Sequence, residues 1–153
     1  MFHITFAQHY TAWKVKGAVA HLDMAKDLAK DDVGLLAAIG HEYRAAGAFT
    51  ECVALYDKLI AKKDSGELRT ERALCKRGLK DEAGAIADLQ AATKNDPTFA
   101  PAHVYLGMRY VAANKYKEAI AEYEAYLKLA PNTPQARDVE AKLKDAREKL
   151  KKP

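Results

Sequence analysis

Apolar residues in this chain recur three and four positions apart, the period of a helix buried along one face, in short stretches broken by glycine, proline and polar clusters. The clearest stretch runs from Asp96 to Pro131 and predicts a helix, a tight turn and a second helix, with prolines at both ends. Its pattern repeats. The small residues Gly40, Ala73 and Gly107 are separated by 33 and then 34 positions. Cys52, Ala85 and Ala119 keep the same separations, as do the large residues Tyr56, Leu89 and Tyr123. Three helical hairpins follow, over residues 33–65, 66–99 and 100–133.

The units differ in how fully they keep the pattern. In the first, Ile39, Gly40 and Tyr43 lie on one helix, Gly47 supplies the positive backbone angle of the turn, Phe49 opens the second helix, and the KKDSG stretch through Gly66 ends it. The second unit places Arg72 and Lys76 where the third has Leu106 and Tyr110. Either its first helix is thinly packed or the register slips by one residue. In residues 1–32, Ala18, Leu22, Ala25 and Leu28 share a predicted face, and Phe6, Tyr10 and Trp13 recur at helical spacing before them. This reads as a degenerate N-terminal repeat or a capping helix pair. Thr133 and Pro134 mark a helix start, and Val139, Leu143, Ala146 and Leu150 form a narrow stripe over residues 134–153. That segment is expected to cap the last unit; the rival, a coiled-coil strand, has only about two heptads to work with.

The order Leu106, Gly107, Tyr110, Ala119, Tyr123, Pro131 resembles the tetratricopeptide repeat family. The resemblance implies an all-α, right-handed α-solenoid of antiparallel helix pairs with a C-terminal capping helix. It further implies a non-enzymatic protein-protein interaction module, an adaptor, cochaperone or assembly scaffold that binds a partner peptide or helix in its concave groove. In that architecture the first helix of each pair lines the groove. Ala37, His41 and Arg44 share one face of the first such helix, Thr70, Leu74 and Arg77 follow one repeat on, and Val104, Met108 and Val111 one repeat further. His41, Arg44 and Arg77 make the near part basic and polar, whereas Val104, Met108 and Val111 make the far part apolar. A segment with an acidic end and an apolar end is the expected occupant; the competing reading folds the C-terminal helix into the groove instead. Family members that hold the C-terminal carboxylate of heat-shock chaperones use lysines, asparagines and an arginine. The matching places here hold Ala37, His41, Glu71, Pro101 and Tyr105, so binding of that chaperone tail is not expected.

Composition narrows the function classes without changing the fold. The 153 residues suffice for a real core, and 49% hydrophobic with 30% charged residues excludes a disordered chain. A net charge of +4, with both signs interspersed, gives no reason to expect nucleic acid, although the tail from Lys142 to Lys152 would attract an acidic surface weakly. No apolar run reaches the roughly 18 residues of a membrane span, and the N-terminus lacks a secretory signal pattern. A cytoplasmic protein is therefore expected, unless a targeting segment once preceded Met1. Cys52 and Cys75, 23 positions apart, read as reduced core thiols. The five histidines have no ligand spacing, and HEYRA at His41–Ala45 lacks the second histidine of a zinc helix. No catalytic motif, metal site or cofactor is expected. The second function reading is structural: self-association of copies into a dimer or larger assembly.

Overall fold

The computed structural model describes residues 2–151, with side chains from residue 14 onward. Its helices are α1 (Phe2–Ala29), α2 (Val33–Ala45), α3 (Phe49–Lys62), α4 (Gly66–Gly78), α5 (Glu82–Asn95), α6 (Ala100–Ala112), α7 (Tyr116–Leu129) and α8 (Ala136–Lys151), and no strand occurs among the described residues. α2 packs with α3, α4 with α5 and α6 with α7, and each second helix also packs on the first helix of the next pair.

One turn closes all three pairs. Gly47, Lys80 and Asn114 take φ values of 79°, 64° and 57°, left-handed values that bend the chain back within two residues. The next amide donates to a carbonyl five residues earlier: Ala48 to Tyr43, Asp81 to Lys76 and Lys115 to Tyr110. These bonds satisfy carbonyls that a helix end would otherwise leave unpaired. At helix starts Asp32 accepts from the Leu35 amide, Ser65 from Leu68 and Asp81 from Gly84.

Within two pairs, a glycine and a ring set the helix separation. A Cβ placed on Gly40 would lie 2.6 Å from the Tyr56 ring, and one on Gly107 would lie 2.6 Å from Tyr123. The middle pair has Ala73 opposite Leu89, a methyl against a smaller side chain, and both are buried. The contact is conserved in volume rather than in residue type.

The middle pair also explains Arg72 and Lys76. The fourth residues of α2, α4 and α6 are Leu36, Arg69 and His103, and the matching places on α3, α5 and α7 hold Leu55, Asp88 and Glu122. Leu36 and Leu55 share an apolar cluster. His103 Nδ1 lies 2.7 Å from Glu122, and its Nε2 lies 3.1 Å from the Pro97 carbonyl. The Glu122 carboxylate accordingly raises the His103 pKa against the opposing effect of burial. Asp88, 3% exposed, takes Arg72 as a forked partner and Lys76 at 2.8 Å, with Arg69 at 3.8 Å. Burial pushes the Asp88 carboxyl up, but hydrogen bonds from Arg72 and Lys76 outweigh it and hold the pKa down. Arg72 also donates to Asp57 of α3 at 2.7 Å, joining two pairs. Neither thin packing nor a register slip is present: charge takes the place of apolar contact.

Several expectations are corrected. A single helix, α1, stands where a helix pair was expected, because Gly17 lies within it and no cap or proline follows to start another. Val15, Val19, Leu22 and Ala25 pack on the first pair, whereas Leu28 is 82% exposed, so the buried face is rotated from the predicted one. The side chains of Phe6, Tyr10 and Trp13 lie outside the described residues. α8 begins at Ala136, and Thr133 does not cap it; the Thr133 hydroxyl instead meets the Tyr126 hydroxyl at 2.8 Å. Val139, Leu143 and Ala146 are buried along α7, but Leu150 is 42% exposed. Cys52 and Cys75 are bonded rather than reduced, with their Cα atoms 6.0 Å apart across the α3–α4 interface. A separation of 23 positions hides that stacking brings the two onto facing helices.

Asp88→Asn should cost about 3 kcal/mol at neutral pH by urea unfolding, because it leaves clustered cations without their counter-charge. A depressed carboxylate stabilises above its unfolded value of about 4 and loses that contribution as pH falls through its folded value, so the deficit should shrink in acid. A deficit that grows in acid would contradict this assignment. Thiol titration of the denatured, unreduced chain should find no free cysteine; two titrating thiols would contradict the Cys52–Cys75 bond.

Candidate partner-binding groove

α2, α4 and α6 stand side by side, since α4 contacts both of the others. The candidate residues are the fifth, ninth and twelfth of each helix, so they form rungs across the three. Ala37, His41 and Arg44 are partly exposed, Arg77 is exposed, and Val104, Met108 and Val111 are half-buried. Thr70 and Leu74 are only 2% and 7% exposed. Neighbours flank α4 on both sides, and the Thr70 hydroxyl turns back to donate to the Gly66 carbonyl at 2.7 Å. These two residues leave the set of available contacts.

Charge in the near part also differs from expectation. Glu71 Oε2 lies 3.4 Å from His41 Nδ1 and 3.5 Å from Arg44 Nε, so a carboxylate of α4 faces the His41 ring and the Arg44 guanidinium of α2. Glu71 Oε2 and Arg44 Nε are buried, yet neither makes a hydrogen bond of good geometry. Only Arg77 of the three predicted basic residues stands without such a carboxylate among the described ion pairs.

Beside this cluster a cavity of about 430 Å³ opens between α2 and α4. Gly34, Ala37 and Ala38 form its α2 wall, Glu67 and Glu71 its α4 wall, and Lys63 and His41 also line it. The Tyr56 hydroxyl donates to the Ala37 carbonyl at 3.0 Å, fixing the ring that also lines the cavity. The room comes from the small side chains of Gly34, Ala37 and Ala38. Glu67 and Glu71 are lining residues outside the expected contact set, and in sequence only Glu71 stands out, as one of the places matched to the chaperone clamp. Counting from the helix starts would have put both beside the predicted rungs.

The far part is apolar, and Tyr105 joins Val104 and Met108 there, packed against the hydrophobic cluster that Leu89, Leu106, Tyr123 and Val139 share. α8 runs along α7 and not along α6. The C-terminal helix therefore does not occupy the groove. No group of three His, Cys, Asp or Glu side chains is placed to hold a metal ion among the described residues, and no helix there is long and apolar enough to cross a membrane.

A family model described as tetratricopeptide repeat matches residues 77–143. The serine/threonine-protein phosphatase T of Trypanosoma brucei brucei is 29% identical over 100 residues, 65% of this chain and 21% of that protein. The chain thus spans about a fifth of that relative's length. Among solved structures, the first TPR of Spaghetti (RPAP3), bound to the HSP90 peptide SRMEEVD, is 26% identical with a TM-score of 0.69, over 78% of this chain and 94% of that one. The TPR2B domain of yeast Sti1, in complex with pHsp70, is 22% identical with a TM-score of 0.70, over 76% of this chain and 96% of that one, a likeness of fold. Repeat spacing, matched segment and helical architecture agree: residues 77–143 match the tetratricopeptide repeat model, and the chain has the fold of tetratricopeptide repeat domains.

Proposed function

We propose that this chain is a protein-recognition module, an adaptor, cochaperone or assembly factor that docks a segment of a partner across α2, α4 and α6. The observation that carries this reading is the open groove itself. α8 lies along α7, so Val104, Met108 and Val111 stay partly accessible on α6, and a cavity opens between α2 and α4. Small residues, charges and apolar groups side by side give a segment both shape and polarity to read. The peptide-bound Spaghetti structure supports such use of the fold. In this reading the chain supplies no catalytic group. Each pair is too small to offset its own ordering cost, so stability resides in contacts between pairs and the groove surface is free to specialise.

Cytoplasmic placement is part of the proposal, and the state of Cys52 and Cys75 bears on it: a bond that persists in the cell would speak for an oxidising compartment.

Affinity capture from the native cell, followed by calorimetry of the captured partner, tests the reading. Met108→Glu and Arg77→Glu should each weaken that partner by about tenfold or more, whereas Lys58→Glu, on exposed α3 surface, should leave it unchanged. Equal affinity for the groove variants and the wild type would contradict it.

A further inference from the structure

We infer that His103 is held as an imidazolium that clamps the α5–α6 connection to α7, a pH-sensitive brace on the helix that carries the apolar end of the groove. The brace is closed while the ring keeps both protons and opens as pH rises. It does not depend on what the groove binds.

His103 is the fourth residue of α6 and only 8% exposed. Its Nδ1 lies 2.7 Å from a Glu122 carboxylate oxygen on α7, and its Nε2 lies 3.1 Å from the Pro97 carbonyl. Both partners only accept. A neutral imidazole has a single N–H and would turn a lone pair toward one of the two oxygens, whereas an imidazolium donates to both. Burial works against a charged ring, but the Glu122 hydrogen bond outweighs it, and the Pro97 carbonyl adds to that effect. On α4 and α5, Arg69, Arg72 and Lys76 are gathered at Asp88. The Asp96 carboxylate is turned to the Thr98 amide and hydroxyl. Glu122 is therefore the charge that acts on the ring.

The contact stands where α6 lacks another anchor. Among the first helices of the pairs, Asp32 caps α2 and Ser65 caps α4, whereas Phe99 offers α6 no side-chain cap. His103 instead reaches back to Pro97 in the connection and across to Glu122. Val104, the next residue, belongs to the groove, so the brace seats that rung. The matching places in the other pairs hold Leu36 with Leu55 and Arg69 with Asp88. Neither leucine nor arginine changes charge near neutral pH, so of these three contacts only the last can switch there. A histidine with a raised pKa stabilises fully below its unfolded value of about 6.5 and loses that contribution as pH rises through its folded value.

NMR titration of the His103 ring in the intact chain tests the charge, with Glu122→Gln as a variant that keeps an acceptor oxygen and removes the carboxylate. The wild-type midpoint should lie above about 6.5 and fall in the variant, and below that midpoint both ring nitrogens should show imidazolium shifts. Hydrogen exchange at about pH 6 and about pH 8.5, corrected for the intrinsic rate, tests the brace. Protection of α6 and α7 should fall by about fivefold or more relative to α2 and α3, and His103→Gln should abolish that pH dependence. A midpoint at or below about 6.5, or one that Glu122→Gln leaves unmoved, would overturn the inference. So would equal loss of protection in both pairs, and in either case the recognition reading would stand.

Discussion

The structure depends on how closely two helices can approach within each pair. Where Gly40 and Gly107 present bare backbone, the rings of Tyr56 and Tyr123 come within reach of it, and both rings are almost fully buried. Where Ala73 adds a methyl, Leu89 replaces the ring. The sum of volumes is kept, so successive pairs have matching thickness and can stack in register. Identical left-handed turns at Gly47, Lys80 and Asn114 then return the chain at the same angle each time. The groove is a consequence of that regularity, because it needs three first helices aligned at a common height.

Polar chemistry inside the stack follows the same positional logic. A pair of sites that is Leu36 and Leu55 in the first unit becomes Arg69 and Asp88 in the second and His103 and Glu122 in the third. An apolar contact needs no partner of a particular sign, but each charged version needs its complement on the facing helix. Asp88 gathers three cations, and one of them, Arg72, reaches on to Asp57 of the preceding pair. The second unit is thereby tied to the first by charge and by the Cys52–Cys75 bond, while apolar contacts dominate at the C-terminal end.

Helix type, the three hairpins and the glycine-ring contacts were legible because they rest on local spacing: a small residue, a turn and a large residue recur at fixed separations. What was not legible depends on which helix faces which. Arg72 and Lys76 look like defects until Asp88 is placed opposite them. The cysteines look unrelated until α3 and α4 are stacked. A helix pair is the expectation for residues 1–32, yet α1 continues through Gly17, because one glycine lowers helix propensity without supplying a stop. At the groove, helical spacing found the face but not its exposure. Thr70 and Leu74 have the right register and are buried, because the middle helix is crowded from both sides. Glu71 changes the charge of the α2 rung from outside that rung, where reading one helix at a time cannot see it.

Because every later feature rests on matched volumes within a pair, the most direct measurement is a double-mutant cycle at Gly107 and Tyr123, read by urea unfolding. Gly107→Ala alone should destabilise by about 2 kcal/mol, since the new methyl meets the ring. Combined with Tyr123→Leu, which recreates the Ala73 and Leu89 arrangement, the double variant should be more stable than the sum of the single losses by about 1 kcal/mol or more. Losses that simply add would contradict the account, for they would mean that the two positions do not set the helix separation together.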